Sequence, residues 1–552
     1  MAKRNGAGPD LYFLPLGGAG EIGMNLNLYR HAGKWLMIDL GITFGDDLTP
    51  GIEVIMPDPA FIEEEREDLV GLVLTHAHED HLGAVPYLWP RLGCPIYATP
   101  FTAAVLRRKL AEHGLGDKVP LREVAMSGRF GIGPFDLELI TLTHSIPEPN
   151  AVVIRTAAGT VLHTGDWKFD PDPLIGPTAD ERRLIEVGNE GVLALVGDST
   201  NVFRPGEAGS EASVREALTA LVAARKGKVA VACFASNVAR LSTIAEVARR
   251  CDRHAALVGR SLHRIDEAAR ATGYLKGVPP FLSDHDAGFL PADKVLLICT
   301  GSQGEPRAAL TRIAEGSHPH VTLGPGDAVI FSSRIIPGNE RAISRLQNRL
   351  ADRGVEIVTE RDEAIHVSGH PARDELARMY QHIRPRIAVP VHGEARHLRE
   401  HAALALSCQV PHAVVVANGD LLRLAPGAPE IVDQVASGRL AVDGKRLVAL
   451  DDDMLRDRHR LTFNGTAMVT LVLDRNGKLL AEAQVSAPGL LAAEDAAIGP
   501  LIDAVDAAVA KLPASARRDD DQVREAARRA ARRHLHDTVG KKPLTEVHVV
   551  RV

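Results

Sequence analysis

The sequence predicts an α/β protein in which several domains share one chemical site. Three observations carry this. Short apolar strands stop, one after another, at a residue able to bind a cation. From about residue 208, helical patterns alternate with short strands, as in a three-layer domain with a parallel sheet. Histidines then return at 366–392, so the middle segment reads as an insertion into a first domain that the chain comes back to complete.

At 552 residues, 45% hydrophobic and 24% charged, the chain suits about three soluble globular domains. The net charge of −7 means that nucleic acid would be held by local basic patches rather than by overall attraction. Five scattered cysteines without a CxxC pair argue against a disulfide framework or a cysteine-based zinc site, and for a reducing compartment. Residues 1–6 lead into no apolar signal segment, and no apolar run is long enough to span a membrane. A cytoplasmic protein is expected.

Taken in order, residues 11–16 read as a strand running into Gly17-Gly18-Ala19-Gly20-Glu21-Ile22-Gly23, where the backbone can turn tightly beside a site. Without a clean GxGxxG opening an amphipathic helix, this is a weak dinucleotide fingerprint. Strands at 25–29 and 35–38 follow, the second ending at Asp39, which is expected to orient metal ligands from behind. The apolar run 69–74 leads into Thr75-His76-Ala77-His78-Glu79-Asp80-His81. In an extended segment His76 and His78 point the same way and can pinch one ion. A turn into a helix would present Asp80 and His81 to a second. A polar strand-to-helix turn with solvated histidines is the plain alternative, but four such ligands at this spacing rarely arise by accident.

The rhythm repeats. Residues 137–143 end at His144, 160–164 at Gly165-Asp166, and 191–196 at Gly197-Asp198-Ser199-Thr200-Asn201. Ligand sites of layered α/β folds gather on the loops after the strands. The middle segment has helical patterns at 213–225, 238–249 and 262–271, and strands at 229–233, 294–299 and 328–332. Its strand ends carry small polar loops: Ala235-Ser236-Asn237, Thr300-Gly301-Ser302-Gln303-Gly304-Glu305 and Ser332-Ser333-Arg334. These suit phosphate oxygens, or are ordinary strand-to-helix turns. His366-Val367-Ser368-Gly369-His370, a helix at 374–381 and a strand at 386–391 ending in His392-Gly393-Glu394 bring the chain back. Ala425-Pro-Gly-Ala-Pro429 marks a boundary, flanked by strands of a closing sheet. The tail reads as a hairpin of 466–473 and 479–485 around Asn476-Gly477, helices at 492–512 and 519–536, and a strand at 545–552. The second helix is rich in arginine and acid. It is either a solvated face with internal ion pairs or an RNA-contacting face.

His76-x-His78-x-Asp80-His81, with Asp39, His144 and Asp166, resembles the metallo-β-lactamase superfamily. The insertion, with Asp198, His366–His370 and His392 around it, resembles its β-CASP subgroup of nucleic-acid nucleases. Within that subgroup, the glycine run at 17–23, Gly197–Asn201, Phe234-Ala235-Ser236-Asn237, Thr300–Pro306, His366–His370 and Pro390-Val-His-Gly-Glu394 resemble bacterial ribonuclease J. The resemblance implies a metallo-β-lactamase αββα sandwich (1–207 and 366–449), an inserted β-CASP three-layer α/β domain (208–365) and a small α/β C-terminal domain (450–552).

It also implies two Zn2+ ions, with Mn2+ or Mg2+ as working alternatives. One would be held by His76, His78, His144 and Asp166, the other by Asp80, His81, His392 and the same Asp166. Paired ions of this kind make a nucleophile from water at neutral pH. Asp198 and His370 are implied to act around leaving-group protonation, as donor and acceptor respectively. Ser236, Asn237 and Val238, with His366, Val367, Ser368, Gly369 and His370, would hold RNA. Ser302 and Gln303 would help recognise a 5′ monophosphate. The implied activity is 5′→3′ exonucleolytic decay of single-stranded RNA from monophosphorylated ends, plus endonucleolytic cleavage, in mRNA decay and rRNA maturation. Scarce aromatics, at 4%, argue for backbone gripping and weak sequence preference. A homodimer or homotetramer, with RNA-degradation or ribosome-associated partners and no membrane, is the implied setting. The alternatives are a DNA-processing β-CASP nuclease, a small-molecule metallo-hydrolase and a non-catalytic RNA-binding subunit.

Overall fold

The computed structural model describes residues 10–552, which divide into two units. The expectation for residues 1–6 lies outside the described residues. The first unit comprises residues up to 43 together with 55–438, and the second 44–54 with 439–552.

Two sheets face each other in the first unit. One is eight-stranded, with Leu11–Gly17, Leu26–His31, Lys34–Ile38 and Leu69–Val73 at its centre. The other is seven-stranded and includes Phe135–Thr141, Asn150–Thr156, Gly159–His163, Ala194–Asp198 and Ile387–Val391. Successive side chains of a strand point to opposite faces. Val196 and Val389 therefore enter the core between the sheets, with Phe13, Tyr29, Ile38 and Val73, while Leu195 and Ala388 enter the outer core. There they meet Leu184 and Val187 of the helix Glu181–Glu190, and Met379, Tyr380 and Ile383 of the helix Arg373–Ile383. This is a helix–sheet–sheet–helix sandwich.

The segment between those strands builds its own six-stranded sheet, ordered Leu282–Ser283, His254–Val258, Val295–Cys299, Val229–Ala232, Ala328–Phe331, Glu356–Val358. Every pairing in it is parallel. Helices such as Glu211–Ala223, Val238–Arg250 and Glu340–Asp352 connect the strands. The chain then returns beside the place it left: Ala194–Asp198 pairs in parallel with Ile387–Val391, Val196 opposite Val389 and Asp198 opposite Val391. Around 425–429 the structure forms an antiparallel pair, Asp420–Ala425 with Glu430–Gln434, at the edge of the first sheet.

In the second unit, Thr466–Leu473 lies between Gln484–Ser486 and Leu544–Arg551. The helices Ile498–Ala510 and Asp520–Val539 bury Leu501, Val505, Val509, Val523, Ala527, Ala531 and Leu535 against this sheet. The second hairpin strand is shorter than the sequence pattern suggests. Leu479 makes only an isolated bridge to Leu473, because the Asp474 carboxylate accepts the backbone N–H of Asn476 and Lys478 and closes a compact turn first. The first helix starts at Ile498 rather than near 492, the segment before it forming turns. The arginines at 524, 528 and 529 pair with Asp521 and Glu525 within their own helix.

Candidate metal centre

The strand Leu69–Val73 delivers Thr75 to His78 in extended form, and a short helix begins at Glu79. The turn is locked from below. Leu40 N–H bonds to His81 O at 2.7 Å, Ile42 N–H to Glu79 O at 3.0 Å and Asn25 N–H to Asp80 O at 3.0 Å. Gly41 sits in this clamp, where an added Cβ would lie 1.7 Å from the Asp80 carbonyl oxygen, so only glycine permits the approach. Asp39 and His392 both adopt left-handed backbone, at φ 64° and 52°, uncommon for non-glycine residues and typical of sites where geometry overrides local preference.

Three imidazole nitrogens converge at the first cluster. His78 Nδ1 lies 3.1 Å from His76 Nε2 and 3.0 Å from His144 Nε2. Asp166 Oδ2 lies 3.9 Å from each of those Nε2 atoms. The other ring nitrogens are engaged: His76 Nδ1 with Thr75 Oγ1 at 3.0 Å, His144 Nδ1 with the Gly369 carbonyl at 2.5 Å, and His78 Nε2 with Ser236 Oγ at 3.1 Å. A carbonyl only accepts, so His144 carries its proton on Nδ1 and turns a lone pair inward.

The second cluster shares Asp166. His81 Nε2 lies 3.1 Å from Asp166 Oδ2 and 3.7 Å from Asp80 Oδ2, and His392 Nε2 lies 3.7 Å from Asp80 Oδ2. His81 Nδ1 donates to Asp39 Oδ2 at 2.7 Å, which turns its Nε2 inward toward Asp166; burial opposes a charge on this ring, but the carboxylates of Asp166, Asp80 and Asp39 outweigh it and raise its pKa well above the ordinary histidine value, so a metal bound there would replace the Nε2 proton. Asp39 in turn accepts from the Thr75 N–H and Oγ1–H, both at 2.8 Å. In each cluster the four ligand atoms lie within 4.8 Å of one another. Asp198 Oδ2 is 2.8 Å from His370 Nδ1, which is 3.8 Å from Asp166 Oδ2.

This donor set fits divalent metal ions. Lone pairs facing one another at about 3 Å repel unless a cation lies between them, and the buried Asp166 Oδ1 and His392 Nε2 have no hydrogen-bond partner. Burial, then neighbouring imidazoles, push His76 and His144 well below the ordinary histidine pKa, and burial holds His78 at about 4; neutral imidazole is the ligating form. Burial works against an ionised Asp166, but the imidazoles of His392, His81 and His370 outweigh it and hold its carboxyl well down. Mixed nitrogen and oxygen donors suit zinc or manganese.

Several residues expected to hold RNA also have partners within the protein. Asn237 caps its helix, accepting the Arg240 N–H at 2.8 Å and donating to Glu211 at 3.2 Å. Gln303 braces its loop against Arg334 O and Ile336 N–H. Ser368 accepts from Asn201 Nδ2 and the His370 N–H, and Val238 and Val367 are buried. Gly369 buttresses His144. Ser302 is buried in the loop after Val295–Cys299. Ser236 stands beside His78. His366 is half-buried with its Nδ1 enclosed and unpartnered, and desolvation of the ring, with Arg240, Arg334, Lys168 and Arg204 near it, holds its pKa well below the ordinary histidine value.

Sequence reasoning missed Asn25, whose Nδ2 lies 2.9 Å from His392 Nδ1, 3.2 Å from His81 Nε2 and 3.0 Å from Asp80 O. A lone asparagine at the start of an apolar strand was its only trace. It also missed the buried Arg240, which pairs with Glu211 at 3.0 Å and binds the carbonyls of Ser332 and Ile365, the latter next to His366.

Comparison with known proteins places this geometry. Residues 22–236 match the model described as metallo-beta-lactamase superfamily and 226–350 match ribonuclease J, beta-CASP domain. Residues 354–411 match Zn-dependent metallo-hydrolase RNA specificity domain, and 453–552 match ribonuclease J C-terminal domain. The chain is 44% identical to ribonuclease J of Sinorhizobium meliloti across 98% of both chains. It is 38% identical to that of Mycolicibacterium smegmatis across 97% of this chain and 96% of the relative. Among solved structures, a protein of unknown function from Enterococcus faecalis aligns over 75% of this chain and all of its own, with a TM-score of 0.53 at 15% identity, a likeness of fold alone.

Proposed function

This chain belongs to the ribonuclease J family and is a metal-dependent ribonuclease, and from that premise we propose that it degrades single-stranded RNA 5′→3′ from monophosphorylated ends and also cleaves internally. Its place would be in mRNA decay and rRNA maturation in the cytoplasm, as a homodimer or homotetramer. Among the described residues, no helix is long and apolar enough to cross a membrane.

The observation that carries the reading is the meeting of two donor clusters on one carboxylate, Asp166, with the Asp198–His370 pair at their edge. In this reading His76, His78, His144 and Asp166 hold one zinc, and Asp80, His81, His392 and Asp166 the other, with manganese or magnesium able to serve. When bound, two such ions supply Lewis acidity toward a phosphodiester and an activated water at neutral pH. The protein's own residues do the rest. Asp39, directly at His81 and through Thr75 at His76, fixes which ring nitrogen these two histidines present. Asn25 ties the His392 ring to the Asp80 turn. The proton shared between Asp198 Oδ2 and His370 Nδ1 stands beside the reacting centre and serves the departing oxygen. Asp198 is itself fixed by the N–H and hydroxyl of Thr200, at 2.9 and 2.7 Å. Ser236, at the edge of the first cluster, contacts the RNA backbone.

Purified protein with added metal, given single-stranded RNA and DNA bearing 5′ monophosphate, triphosphate or hydroxyl, tests this. Mononucleotide release from monophosphorylated RNA, lost in Asp80→Ala, is expected. Equal cleavage of DNA would overturn the proposal.

A further inference from the structure

Aromatic side chains are scarce in this chain, and most are buried or half-buried. Phe203 is not: it is 51% exposed, five positions after Asp198. Among the described residues it is the exposed phenylalanine that lies on a loop leaving the metal centre.

That exposure is held in place by the fold. Two tight turns, Val202 N–H to Ser199 O and Arg204 N–H to Asn201 O, shape the loop, and Val202 is fully buried beneath it. Asn201 donates to Ser368 Oγ at 2.7 Å and His370 O at 3.0 Å. The N–H groups of Arg373 and Asp374 bond to the carbonyls of Arg204 and Gly206.

The ring has company suited to a nucleotide. The Arg396 guanidinium lies 5.7 Å from its centroid, and the His397 ring meets it edge-on at 5.3 Å. Both belong to the helix that begins just after His392. His397 and Ser199 close around Gly393, where an added Cβ would lie 2.9 and 3.0 Å from their Cβ atoms. The cluster thus adjoins the edge of the centre formed by Asp198 and His392.

We propose that Phe203 is a stacking platform for one nucleobase of the RNA, with Arg396 beside it to meet the adjoining phosphate. The proposal rests on the ribonuclease reading above and adds a contact point to it. Aromatic stacking tolerates any base, so one platform would grip RNA without dictating its sequence.

Steady-state cleavage of a monophosphorylated single-stranded RNA by the metal-loaded enzyme tests it. Phe203→Ala and Phe203→Leu should raise KM roughly tenfold, with the smaller change in kcat, and Phe203→Trp should restore KM. Moving a single abasic site along the RNA should reveal one position where the wild type loses affinity and Phe203→Ala loses nothing more. A KM for Phe203→Ala within twofold of wild type, or full rescue by leucine, would overturn the proposal. A wild type that does not cleave the RNA at all would instead overturn the ribonuclease reading.

Discussion

Gly369 offers the sharpest test of the proposed ligand set, because its replacement moves one ligand and adds only a methyl group. An alanine Cβ at this position would lie 2.7 Å from both Cε1 and Nδ1 of His144 and 2.9 Å from Ser145 Oγ. Carbon contacts settle near 3.5–4.0 Å, so the imidazole must retreat by roughly 1 Å. It cannot do so freely, since His144 is 7% exposed and its Nδ1 is bonded to the Gly369 carbonyl. Losing an outer partner of a metal-bound histidine typically weakens metal affinity about 10- to 100-fold, and a displacement of about 1 Å at a reacting centre costs on the order of a hundredfold in rate. Gly369→Ala is therefore expected to lose about one of its two metal equivalents at limiting metal, read by mass spectrometry of the dialysed protein. Its kcat on RNA should fall roughly a hundredfold, while circular dichroism stays unchanged. Gly499→Ala, whose new methyl meets nothing within 4 Å, is the control and should behave as wild type. Full metal content and activity in Gly369→Ala would refute His144 as a ligand.

Metal should also stabilise the fold. Zinc or manganese added to chelated protein at a hundred times Kd should contribute about 2.7 kcal/mol, seen as a rise in Tm. Asp166→Ala, which removes the carboxylate common to both clusters, should abolish that rise, and an equal rise in both proteins would contradict the shared site. A second prediction concerns acid stability. Glu138, 5% exposed, accepts from Arg183 and Arg155 at 2.7 Å and from Arg129 at 2.9 Å. Burial pushes its carboxyl up, but these guanidinium groups outweigh burial and bring it down to about 2. Because the folded value lies below the unfolded one of about 4.3, its stabilisation is complete above that pH and is lost as pH falls toward 2. Discounted for the exposed Arg129, it is worth about 2 kcal/mol at neutral pH. Glu138→Gln should lower Tm at pH 7 and flatten its decline between about pH 4.5 and 2.5. A decline as steep as in wild type would contradict this account.

Much of the centre was legible because its donors follow apolar strands. A strand that ends in His, Asp or His-x-His announces both its direction and its cargo, as at His76, Asp198 and His392. The parallel insertion was legible from the same rhythm, although the three-residue strand Glu356–Val358 carries too few apolar residues to stand out. What stayed hidden was bracing. Asn237, Gln303 and Ser368 are residue types that bind phosphate, and for the same reason they cap helices and satisfy buried backbone. One sequence cannot tell the two uses apart. Asn25, Gly41 and Arg240 act on partners far along the chain, so nothing near them in sequence reveals the role. The arginine-rich tail helix, read both ways from sequence, pairs Arg524, Arg528 and Arg529 with acids along its own axis.

The parallel pairing of Ala194–Asp198 with Ile387–Val391 has a consequence for how the enzyme comes into being. A ribosome releases His76 through Asp198 first, then the whole inserted domain, and only afterwards His392. Until then one of the two neighbours of Ala194–Asp198 in its sheet is absent, Gly159–His163 being already made, and the second donor cluster lacks a member. Such long-range closure is slow compared with local folding. A nascent or prematurely terminated chain ending before residue 392 therefore carries most of a metal centre without a complete one. The topology leaves the second donor cluster one member short until residue 392 has been made.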